Sequence, residues 1–187
     1  MRGLVASLRD IVPIRPLTLT EAFRIAELQA TKLLELSGVA EPPVPETIIT
    51  SLPRVQVERV RLTPTSAATE WSHGRWLILL NGAEPATRQR FSLAHEFKHV
   101  LDNPFIHLLY PALRGASHSD RAEQICDYFA GSLLMPRPWL KRQWGRGVQD
   151  PRALARMFEV SQAAMQVRLR QIGLTEPVPR CGVAAAA

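Results

Sequence analysis

The stretch HEFKH at residues 95–99 holds two histidines four positions apart with a glutamate directly after the first. On a helix that spacing is about one turn, so both imidazoles leave the same face and can reach one ion. A zinc ion held by three protein groups keeps a fourth position for water, lowers that water's pKa towards about 7 and polarises a carbonyl oxygen. Glu96 can then take the water's proton and return it to a leaving amine. The chemistry on offer is metal-assisted hydrolysis, with His95 and His99 as ligands and Glu96 as general base. The competing reading is two helical histidines that bind nothing, and a third ligand separates the two.

The metzincin continuation of this motif needs glycine at 102 and histidine at 105, where the chain has Asp102 and Phe105. EQICD, at residues 123–127, offers Glu123 and Asp127 four apart on one face of a later helix. Glu123 can complete a two-histidine, one-glutamate site of the thermolysin-like kind. Asp127 can accept the Nδ1 proton of a ligating histidine and so fix its tautomer. Each has an ordinary alternative: Glu123 as the capping-box partner of Asp120, and Asp127 as part of a solvated helix face. Among the other side chains, His107, Tyr110, His118 and Tyr128 are candidates to steady an oxyanion or donate a proton. Asp102, nearly one turn after His99, is a second candidate acceptor for a ligand's N–H. Lys98 is expected on a solvated face, and Cys126 as a small buried residue turned away from the ligands.

These residues need elements to hold them. Leu93, Ala94, Phe97, Val100 and Leu101 recur at helical spacing over residues 84–102 and place HEFKH inside an amphipathic helix. A second helix is predicted over 119–135, ended by Pro136 and Pro138, and packed antiparallel to the first. Upstream, Thr18 or Thr20 caps a helix running to about Leu36, and a short helix follows at 46–51. VQVERVRL reads as a strand with a bulge. AATEWSHGRWLILLN reads as a hairpin turning at Ser72, His73 and Gly74, giving a small antiparallel sheet. Residues 75–81 are the strand expected to align an extended substrate. Residues 1–17, interrupted by Pro13 and Pro16, are expected to be extended.

Beyond the basic stretch PWLKRQWGRG, two short helices meet across Phe158, Glu159, Val160 and Ser161 in helix-turn-helix-like spacing. Arg152, Arg156, Arg168 and Arg170 there are candidates for phosphate contacts. The tail PVPRCGVAAAA is expected to be disordered, and its last residues resemble the small apolar ends read by bacterial proteases. The chain has 187 residues and a formal charge of +6, enough for one main domain that can attract nucleic acid or an acidic protein surface. Two cysteines make no disulfide framework, and no stretch has the length of a signal peptide core or a membrane span, so a cytoplasmic, reducing location is expected.

Over RQRFSLAHEFKHVL, EQICDYFAGSLLMP and ALARMFEVSQAAMQVRLRQIGL the chain resembles the ImmA/IrrE family of zinc metallopeptidases. The resemblance implies His95, His99 and Glu123 as ligands of one zinc ion and Glu96 as the catalytic glutamate, with Cys126 where the family usually has alanine. It implies an α+β fold: a mainly helical zincin-like metallopeptidase domain with a small antiparallel sheet over residues 18–140, then a helix-turn-helix-like unit over 141–175 and a tail over 176–187. It also implies cleavage of a separate Xre-type repressor that induces mobile-element or stress genes. The rival expectation is a non-catalytic or DNA-binding regulator acting through the C-terminal helices.

Overall fold

In a computed structural model describing residues 3–61, 65–103, 105–112 and 117–175, the segment LVASLR is helical (α1, Leu4–Arg9), where Pro13 and Pro16 predict an extended lead-in. Tertiary contacts hold it: Leu8 is fully buried, and Arg9 donates to the carbonyls of Val100 (2.7 Å) and Leu101 (3.1 Å). Those carbonyls close a later helix, so the arginine meets the negative end of its dipole. Next, α2 (Leu19–Leu36) starts at a capping box in which Thr18 and Glu21 satisfy each other's backbone N–H. A short α3 (Thr47–Thr50) leads into the sheet.

The sheet contains β1 (Val55–Val60), β2 (Ala67–Ser72) and β3 (Arg75–Asn81) in the order β1-β3-β2. Its hairpin β2–β3 is as expected, but the sheet is mixed: β1 runs parallel to β3. Side-chain alternation identifies a strand without giving the direction of its neighbour. The pairing of β1 is unbroken from Val55 opposite Trp76 to Val60 opposite Asn81, so the phase slip in VQVERVRL is not a bulge. The apolar run WLILL belongs to the central strand, where Ile78 and Leu80 are fully buried. Being central, β3 has both edges paired and cannot receive a substrate strand; β2 lies at the sheet's end.

Three helices form the body with α2: α4 (Ala86–Asp102), the short α5 (Ile106–Leu109) and α6 (His118–Leu134). Next, α7 (Arg137–Gly145) runs across the boundary expected at residue 140. It is followed by α8 (Pro151–Phe158) and α9 (Gln162–Gln171), with Ser161 capping α9. Leu154, Phe158, Met165 and Leu169 belong to the same core as residues of α2, α4 and α6, so α8 and α9 add to one core and do not build a second. Arg168 is part of that packing. It is 1% exposed, donates to the Met135 carbonyl and Glu27, and lies 5.2 Å from the Tyr128 ring, which removes it from the phosphate-contact candidates. Arg152, Arg156 and Arg170 are exposed. The tail, with Cys181 and the VAAAA end, lies outside the described residues. Among the described residues no helix is long and apolar enough to cross a membrane.

Candidate metal centre

The apolar stripe of α4 turns Leu93, Ala94, Phe97, Val100 and Leu101 into the core and leaves His95, Glu96 and His99 on a partly open face. The facing helix α6 begins one turn earlier than Asp120: Ser117 is the cap and Asp120 its reciprocal partner, which leaves Glu123 unspent. His95 meets Asp127 and His99 meets Glu123, so α4 and α6 run antiparallel, as expected.

Three ligand-type groups converge between them. His95 Nε2 lies 3.2 Å from His99 Nε2 and 3.1 Å from Glu123 Oε2, and His99 Nε2 lies 3.2 Å from Glu123 Oε1. Bonds of about 2.0–2.1 Å in tetrahedral zinc place neighbouring ligand atoms about 3.3 Å apart. The triangle therefore has the dimensions, and two imidazoles with one carboxylate the chemistry, to hold zinc. Asp127 accepts from His95 Nδ1 at 2.9 Å, which directs the Nε2 lone pair into the triangle. Burial alone would pull the His95 pKa down, but the Asp127 hydrogen bond and the charges of Asp127, Glu123 and Glu96 outweigh it, and the ring titrates above 6.5. Glu96 is gripped from the sheet, where the Thr69 hydroxyl on β2 donates to its Oε2 at 2.6 Å. Thr69 was not found from sequence, because alternation gives it a face of β2 but does not say that α4 covers that face.

Cys126 is buried as expected but is not turned away from the ligands. Three residues after Glu123, it shares the inner face of α6, and its sulfur, His95 and His99 each bring a ligand atom within 4.8 Å of the others. The thiol is fully buried, and burial, followed by the charge of Asp102, pushes its pKa well above the ordinary value. Lys98 is the reverse of a solvated side chain. It is fully buried with Asp102 at 2.5 Å and Gln29 at 2.8 Å, while Tyr110 donates to Asp102 at 2.6 Å. Asp102 is thus committed away from His99, and Tyr110 is sealed in the core as a donor to it. His118 bonds the Tyr110 carbonyl through Nδ1 and packs against His107, and Tyr128 stacks on Phe23 at 4.5 Å. None of these four lines the cavity of about 300 Å3 above the centre, whose walls include His95, Glu96, Glu123, Arg88 and Ser66.

Residues 53–170 match the model of a peptidase family described as the IrrE N-terminal-like domain. The chain is 27% identical, over 135 residues, to the radiation response metalloprotease IrrE of Deinococcus radiodurans, an alignment covering 71% of this chain and 40% of that protein. A solved structure of a Mycobacterium tuberculosis transcriptional regulator superposes with a TM-score of 0.60 at 16% identity, covering 96% of this chain and 54% of that one. At that identity the likeness shows the fold. The chain spans about half the length, or less, of these relatives.

Proposed function

Since the chain belongs to the family of IrrE N-terminal-like domains, we propose that it is a zinc-dependent endopeptidase whose ligands are His95, His99 and Glu123. The observation that carries this is the triangle of their ligand atoms at 3.1–3.2 Å, with Glu96 beside it. Glu123 is preferred to Cys126 because its two carboxylate oxygens lie 3.1 and 3.2 Å from the imidazole Nε2 atoms and it lines the cavity above them about half exposed, whereas Cys126 is fully buried.

Zinc bound there supplies a Lewis acid for the scissile carbonyl and a water of lowered pKa. The protein's own groups do the rest. Asp127 holds the His95 proton on Nδ1. Thr69 occupies one oxygen of Glu96, leaving Oε1 to accept a proton from water and deliver it to the leaving nitrogen. The edge of β2, beside Ser66 and Ala67 in the cavity wall, can pair with an extended substrate. Only a locally unfolded segment can lie that way, so the substrate is a protein with a mobile linker or end.

The motif resemblance favours a Xre-type repressor as that substrate, and the match to a radiation response metalloprotease supports a regulatory setting. A DNA-binding reading rests on Arg152, Arg156 and Arg170 alone. Metal analysis of the purified protein, paired with Glu96→Gln in a repressor-cleavage assay, tests the proposal. The wild type is expected to carry about one zinc per chain and to cut, and Glu96→Gln to keep the zinc without cutting. Cleavage that survives Glu96→Gln rejects the mechanism.

A further inference from the structure

A groove leads from the metal centre across the C-terminal helices. The cavity above His95 shares Arg88, Phe91 and Asp127 with a second of about 270 Å3. The second meets a third, of about 670 Å3, at Thr87 and at the adjacent Ser161 and Gln162. The lining changes along this path. Beside the centre it is charged; across α9 it includes Ala163, Ala164 and Val167, the last 45% exposed despite being apolar, beside Gln171 and the buried Arg168. At the far end Arg90, Arg152 and Arg156 surround a floor of Ala86, Ala155 and Val160.

That far end is built for negative charge. Arg152 and Arg156 lie four apart on one face of α8, and neither guanidinium meets a carboxylate among the described residues. Arg90 is 11% exposed; it donates to the Val44 carbonyl at 2.8 Å, its Nη1 lies 3.3 Å from Glu159, and its Nε has no partner among the described residues. Glu159 sits at φ 51°, a conformation glycine adopts at lower cost. It places a carboxylate on Arg90, so the pocket already receives one such group from the chain itself. Three arginines against one glutamate leave two positive charges in excess.

We infer that this groove is a docking site for the protein substrate, taking a segment in which apolar residues are followed, away from the cleaved bond, by acidic ones. The inference rests on the peptidase reading for what happens at the near end; docking itself needs no turnover. Ala86 and His95 are nine positions apart on α4, which is about 14 Å of helix, or about four residues of extended peptide. Acidic residues accordingly belong about four to six positions from the cleaved bond, with the apolar ones between. A nucleic acid backbone offers nothing apolar to Val167 and its neighbours, and Glu159 would repel it.

The test is fluorescence anisotropy on the full chain with three labelled peptides: one carrying paired leucines followed by glutamates, one with lysines for the glutamates, and one with glycines for the leucines. The first is expected to bind about tenfold tighter than the others. Arg152→Glu combined with Arg156→Glu should abolish that advantage, Val167→Asp should reduce it, and Lys32→Ala, at an exposed position that lines none of the three cavities, should leave it intact. Equal binding of the three peptides, or an advantage that survives the arginine changes, overturns the inference, as does salt-sensitive duplex DNA binding that the arginine changes remove while the peptides stay undistinguished. Cleavage of the first peptide, read separately in wild type and Glu96→Gln, keeps the two proposals apart. Discrimination without cleavage sinks the peptidase and upholds the groove, and cleavage with charge-blind binding does the opposite.

Discussion

Helix α4 carries two pairs of side chains at the same four-residue spacing on adjoining faces. Lys98 and Asp102 point inward with side chains 0% exposed; His95 and His99 point outward and remain 14% and 23% exposed. The inner pair is complementary: an ammonium meets a carboxylate, and Gln29 and Tyr110 take up the remaining hydrogen bonds. Burial, followed by the charge and hydrogen bond of Asp102, pushes the Tyr110 phenol far above its ordinary pKa, so it stays a donor. The outer pair is two like groups whose Nε2 atoms converge at 3.2 Å, each also 3.1–3.2 Å from a Glu123 oxygen. Spacing brings two groups together, and complementarity decides whether the pair closes on itself or calls for a third partner.

The largest expected effect falls on the closed pair. Lys98→Met leaves Asp102 buried without its counter-charge and should cost about 3–5 kcal/mol in chemical denaturation. Adding Asp102→Leu should recover most of that, since an apolar pair of similar size has no charge to desolvate. A double variant as unstable as the single one would break the idea that the inner pair is closed by charge. On the open pair the pattern should invert. Glu123→Ala is expected to weaken zinc binding by about 100-fold or more while moving the stability of the metal-free protein by no more than about 0.5 kcal/mol; full zinc binding after this change removes Glu123 from the ligand set and brings Cys126 back. A smaller loss, about 10–100-fold in zinc affinity, is expected for Asp127→Asn, which can no longer draw the His95 proton as a carboxylate does.

The smallest effect calibrates what an exposed partnership is worth. Arg15 and the Thr18 cap hold the Glu21 carboxylate down to about 2 from 4.5. Its folded pKa is depressed, so its stabilisation is present above the unfolded value and fades as pH falls from about 4.5 to about 2. Melting temperatures of wild type and Glu21→Gln should therefore converge across that window, and a gap that stays constant would argue against the assignment.

Residues whose roles depend on their own helix were legible in the chain: the apolar stripe of α4, the proline stop after α6, the hairpin at Ser72 to Arg75. Glu123 and Asp127 were legible because one turn of helix separates them and one turn of α4 separates the histidines they meet. The misread residues depend on what lies across from them. Lys98 looked solvated because a lysine usually is, and only Gln29 from α2 and Tyr110 after α5 allow it to be buried. The sheet was expected antiparallel because a hairpin was visible and the crossing of β1 to the far side of β3 was not. Cys126 faces the ligands because three residues, the distance from Glu123, are most of one helical turn.

By itself, the sequence determined the zinc-type pattern, the two helices that carry it and the family, because these follow from periodicity and local spacing along a regular backbone. Only the tertiary structure decided that Thr69 grips Glu96, that Asp102 and Tyr110 belong to Lys98, that Arg168 is buried, and that neighbouring cavities share lining residues from α4 and α6. Each of those joins elements far apart in the chain, and such contacts are set by how faces pack against one another, which no local pattern encodes.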